Sequence, residues 1–183
     1  MISRENYTPG AATGADIRQD GDAWTLILVR DLRHPPSKVW EALTEPAHLR
    51  EWAPFDADRS LATLGPVNLS TVGAPTPRVS ETSVRRAEAP RLLEYTWGGN
   101  NHIRWELEAR GSGTRLTLWH NIDRGSISMG AAGWHICFDV LDRFLAGQPI
   151  GRLVGREAMK FGWHRLNTEY AQQFGIKAPK FTT

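Results

Sequence analysis

Between Leu93 and Ile122 the chain alternates apolar and polar residues in three runs, and this alternation limits the fold more than any other feature. Leu93, Tyr95 and Trp97 share one face of the first run, and Ile103, Trp105 and Leu107 share one face of the second. Leu116, Leu118 and His120 do the same in the third. Gly98-Gly99-Asn100-Asn101 and Gly111-Ser112-Gly113 separate the runs, so the pattern predicts three antiparallel strands joined by turns. The other parity of the middle run reads His102, Arg104, Glu106, Glu108, Arg110, a solvated face. The sheet is therefore half buried and needs a cover. The segment from Gly130 to Gly147 supplies one: Trp134, Cys137, Phe138, Leu141 and Leu145 recur at spacings of three and four, one stripe of a helix that stops before Pro149.

Upstream, Trp24, Leu26 and Leu28 alternate with Thr25, Ile27 and Val29, a first strand that runs to His34-Pro35-Pro36. Two short helices follow, one opened by Pro36 and Ser37 and ended by Pro46, the next carrying Leu49 and Trp52 inward and stopped by Pro54. Weaker strand patterns cover 60–64, 67–72 and 78–86, with Gly65-Pro66 as a turn between the first two. A last helical stripe carries Met159, Trp163, Leu166, Tyr170 and Phe174 and closes at Gly175. Such a stripe either packs on the same domain or makes a homodimer contact. With 183 residues the chain suits one domain. The expected division is an irregular N-terminal arm over 1–22, a core domain over 23–148, and a helical extension over 149–183 packed on the same domain.

A net charge of +2 with scattered Lys and Arg argues against a nucleic-acid partner. No apolar run reaches membrane-spanning length, and MISRENYTPG has no apolar signal core, so a cytoplasmic location is expected. The single cysteine, Cys137, lies on the apolar stripe and reads as a small buried hydrophobe. There is no phosphate-binding glycine motif, nucleophile elbow or paired-histidine metal motif, so no cofactor and no metal are expected.

Four segments resemble one family. PPSKVWEALTEPAHLREW over 35–52, LLEYTW over 92–97, TRLTLWH over 114–120 and the Gly133-Trp134 pair are similar to the activators of heat shock protein 90 ATPase and their bacterial homologues, within the START-like (SRPBCC) superfamily. The resemblance covers about residues 23 to 147. It implies an α+β helix-grip fold, also called Bet v-like, with a seven-stranded sheet curved around the long helix. A cavity is expected between the two. The implied function is binding of a small apolar or amphipathic molecule. An Aha-type protein-binding module acting as a chaperone accessory is one alternative. An enzyme acting on a bound polyketide or aromatic compound, with His120 and Tyr95 as acid–base groups, is another.

The residues expected to line such a cavity follow from parity and stripe. From the sheet they are Leu93, Tyr95, Trp97, Ile103, Trp105, Leu118 and His120. Trp52 joins them from the short helix, and Trp134, Phe138 and Leu141 from the long one. Large flat side chains in that place either fill the core or wall a pocket. His120 can donate to a ligand carbonyl and titrate near neutral pH, or simply bond to backbone at a strand end. His135 and Asp139, at i and i+4, can form an acid–base or metal pair or a hydrogen bond along the helix flank. The state expected in solution is monomer or homodimer.

Overall fold

The computed structural model describes residues 2–180. Among the described residues nine strands form two antiparallel sheets that curve around one long helix. The larger sheet has the order β1-β2-β9-β8-β7-β6 and the smaller the order β3-β4-β5. The larger sheet consists of β1 (Ala15–Asp20), β2 (Ala23–Leu32), β6 (Arg86–Glu88), β7 (Leu92–Trp97), β8 (Asn101–Arg110) and β9 (Gly113–Asn121). In the smaller are β3 (Phe55–Ala57), β4 (Gly65–Thr71) and β5 (Arg78–Val84). β5 runs beside β7, where Arg85 N donates to Glu94 O at 2.9 Å and the hydroxyls of Thr82 and Thr96 lie 2.6 Å apart. The two sheets thus act as one curved wall. The architecture is the expected α+β helix-grip, with two strands more than the resemblance implied.

Register carries the parity into space. Leu93 pairs with Trp105, Trp105 with Leu118, Tyr95 with Ile103, and Ile103 with His120, so all the apolar parity faces inward. The cover is α3 (Ile127–Leu145), whose residues are buried on nearly every side. The sheet takes the Trp134 and Phe138 side, and α5 (Trp163–Phe174) packs on the opposite flank. Between β2 and β3 lie α1 (Pro36–Thr44) and α2 (Pro46–Trp52), each opened by a proline at the first helical position. α3 comes close to the end of β9: a Cβ on Gly130 would sit 2.4 Å from Ile122 Cδ1, a contact that a turn of the Ile122 side chain relieves.

Four expectations are corrected. The arm over 1–22 is not wholly irregular, because residues 15–20 form β1; as an edge strand it buries little and so carries no apolar alternation. Residues 60–64 form a turn, not a strand. The Arg59 guanidinium folds that turn by donating to the carbonyls of Ser60, Thr63, Gly65 and Pro66. Gly65 and Pro66 accordingly open β4. The last helical stripe is broken at 160–162, leaving Met159 38% exposed at the end of α4 (Arg156–Met159) while Trp163, Leu166 and Tyr170 face α3. The apolar side of α5 is thus used within the chain. Met1 and residues 181–183 lie outside the described residues.

The polar side of α5 holds the segment ahead of β1. Arg165, Glu169 and Gln173, spaced four apart on one helix face, bond to the backbone of Pro9, Gly10 and Ala12 at 2.6 to 3.2 Å. Tyr170 Oη lies 3.1 Å from Thr13 O and 3.3 Å from Thr13 N.

Candidate functional site

Ten of the eleven expected lining residues are buried to 5% exposure or less; the exception, Trp97, is half-buried at the end of β7. Trp134 stands at the centre of an aromatic cluster, its ring 5.5 Å from Trp105, 5.9 Å from Trp97, 6.4 Å from Phe138 and 6.5 Å from Trp52, centre to centre. Edge-to-face and tilted contacts at these separations are the favourable arrangement for rings of this quadrupole. The space between sheet and α3 is therefore occupied by rings in contact. Surface depressions of 380 to 420 Å³ lie elsewhere, and none of the five is lined by any of the eleven residues.

His120 is the polar member of the cluster. Trp134 Nε1 donates to its Nδ1 at 3.0 Å, and Trp97 stacks on its ring at 5.8 Å. Because Nδ1 accepts, the proton of the neutral ring sits on Nε2, and that buried atom has no partner among the described residues. Burial, aided by repulsion from His102, lowers its pKa to about 4, so the ring is neutral at pH 7 and does not titrate near neutrality. Tyr95 is held apart from it: its hydroxyl accepts from Trp105 Nε1 at 2.9 Å, and burial pushes its phenol upward. The two residues of the acid–base reading thus answer to different tryptophans.

The His120 shift has a consequence for stability. The folded pKa is below the unfolded value of 6.5, so the unfolded chain takes up the proton first. Stability is fully present above pH 6.5, is lost as pH falls towards about 4, and levels off below that. The expected loss is about 3 kcal/mol. Urea unfolding at pH 7 and pH 4 in the wild type and His120→Phe checks it. The same pH dependence in both proteins would refute the assignment, since His135, also lowered by burial, contributes equally to each.

The family model described as Activator of Hsp90 ATPase homolog 1-like protein matches residues 33–146. The chain belongs to that family. Solved structures agree in fold. A conserved protein of unknown function from Enterococcus faecalis is 17% identical with a TM-score of 0.64, over 87% of this chain and 89% of its own. A Bordetella parapertussis protein is 23% identical with a TM-score of 0.63, over 97% and 99%. An AHSA1-like protein from Aeromonas hydrophila is 14% identical with a TM-score of 0.56, over 67% and 92%. No curated protein matches the sequence.

In this Activator of Hsp90 ATPase homolog 1-like chain a second polar centre lies on the far side of α3. Asp139 Oδ2 accepts from Tyr7 Oη and its Oδ1 from Arg30 Nη1, both at 2.6 Å. His135 Nδ1 meets Tyr170 Oη at 2.7 Å, while its Nε2 is 3.7 Å from Asp139. The i, i+4 pair is thus part of a network joining the N-terminal segment, β2, α3 and α5. Among the described residues no group of three or more His, Cys, Asp or Glu is placed to hold a metal, and no helix is long and apolar enough to cross a membrane. Arg30 and Tyr7 are members that sequence reasoning missed, and of the two Arg30 left a signal. It shares the inward parity of Leu26, Leu28 and Leu32, and an arginine at a buried strand position calls for an acid across the core.

Proposed function

We propose that this family member binds a small apolar or amphipathic molecule carrying one hydrogen-bond acceptor, between α3 and the concave face of the sheet. Support comes from His120 Nε2, a buried N–H donor aimed at no acceptor within an otherwise aromatic cluster. Leaving such a donor unpaired costs about 1–3 kcal/mol, a cost that an acceptor on a ligand removes. Entry requires one ring to move. Trp97 is the ring for that role: it is half-buried, stacks on His120, and leads into Gly98 and Gly99, both at positive φ. Its indole N–H is tethered by Thr71 Oγ1 at 2.9 Å, a single bond to break. In the bound state the apolar body of the molecule replaces Trp97 against Trp134, and a carbonyl or ether oxygen accepts a hydrogen bond from His120 Nε2.

Tryptophan fluorescence titration with matched pairs of small aromatic ketones and their parent hydrocarbons tests this. The ketone is expected to shift the emission and to bind about tenfold more tightly than its hydrocarbon, with the preference lost in His120→Phe. Absence of any shift from either compound sinks the binding reading; equal binding of both sinks the role of His120.

A further inference from the structure

We propose that the convex face of the larger sheet carries a separate site for a planar monocarboxylate, seated on Trp119 between Arg18 and Arg104. The face is outward by parity, since Trp119 pairs with Arg104 across β9 and β8 while their neighbours His120 and Ile103 point to the core. A depression of about 400 Å³ opens there, lined by Arg18 of β1, Thr25 of β2, Trp119 and Asn121 of β9, and His102, Arg104 and Glu106 of β8. Its groups are unbalanced in one direction. The guanidinium of Arg18 has no hydrogen bond or ion pair among the described residues. Trp119 Nε1 and Arg104 Nε are donors without acceptors.

Two acceptors of the groove are already engaged. Glu106 is taken by Arg104 Nη2 at 2.7 Å, and Thr25 Oγ1 receives Asn121 Nδ2 at 2.9 Å. Against two guanidinium groups, Arg18 and Arg104, the lining sets one carboxylate, Glu106, so the groove lacks a second negative charge. A carboxylate fits in shape as well as in sign: Arg104 Nη1 lies 3.6 Å from Glu94 and Nη2 2.7 Å from Glu106, and the unpaired Nε with its neighbouring Nη forms one edge of the guanidinium fork, which grips two carboxylate oxygens when Arg104 turns from Glu106 to the ligand. Arg104 is 38% exposed, so turning that edge towards the groove needs no opening of the core. Arg18 reaches the same charge from the edge strand. The flat indole of Trp119 takes the ring to which the carboxylate is attached. Glu106 holds the selectivity to one charge, since a dianion would place its second charge against a like one.

Benzoate is the probe, and benzyl alcohol, with the same ring and no charge, is its control. The indole N–H resonance of Trp119, identified by its loss in Trp119→Phe, reports occupancy in the full chain. With about 10 mM benzoate, well above a millimolar dissociation constant, that resonance is expected to shift and saturate. Arg18→Gln, on an exposed position, and Arg104→Gln are each expected to weaken binding about tenfold. A resonance that stays still, that moves equally with benzyl alcohol, or whose midpoint is unchanged in both arginine variants overturns the proposal.

Discussion

Trp134→Ala is expected to remove about 3–5 kcal/mol of folding stability. Trp134 is 3% exposed and touches the rings of Trp52, Trp97, Trp105, Phe138 and His120 at once. Truncation leaves a void that neighbours fixed on the sheet cannot close, because each is held by its own strand pairing. It also strips the donor from His120 Nδ1, so both ring nitrogens then lack a protein partner. Urea unfolding gives the measure: the midpoint drops with the slope unchanged. A loss below about 1 kcal/mol would mean that the cluster is looser than the ring contacts imply.

Asp139→Ala is expected to cost about 2–4 kcal/mol, at the lower end of losses for a buried ion pair because its partners keep some solvent contact. The Asp139 side chain is 18% exposed and that of Arg30 is 23%. Removal of the carboxylate leaves the Arg30 guanidinium over the Phe138 ring without a counter-charge and the Tyr7 hydroxyl without an acceptor. The double variant Arg30→Met with Asp139→Leu is expected to regain most of the loss, since two apolar groups leave no stranded charge. If the double variant is as unstable as Asp139→Ala, the pair matters for its shape and not for its charge.

The sheet and the long helix were legible in the sequence because their periods are strict. β7, β8 and β9 alternate over most of their length, and a slip of one residue would take Leu93, Trp105 or Leu118 off the shared face. α3 shows a stripe at 3.6 residues even though its far side is also covered. What was illegible is held by groups far apart in sequence. β1 contributes only the partly buried Ala15 and Ile17 towards the core, so Ala-Asp-Ile-Arg-Gln-Asp gives too short a strand pattern to read. β3 is three residues long and follows Pro54, which reads as a stop. The turn at 60–64 takes its shape from Arg59, and its Leu61 N donates to Thr44 O at 2.9 Å, neither of which has a local signature. At the candidate site the inward parity of His120 was readable. That Trp134 would claim Nδ1 and leave Nε2 empty was not, since it depends on the register between α3 and β9.

The grip of α5 on the segment ahead of β1 fixes an order of events. Its bonds join residues 155 to 161 positions apart, so the loops they close are long, and contacts of such separation come late in folding. During synthesis the segment ahead of β1 precedes α5, so its side-chain anchors form only after residues 165–173 have followed it.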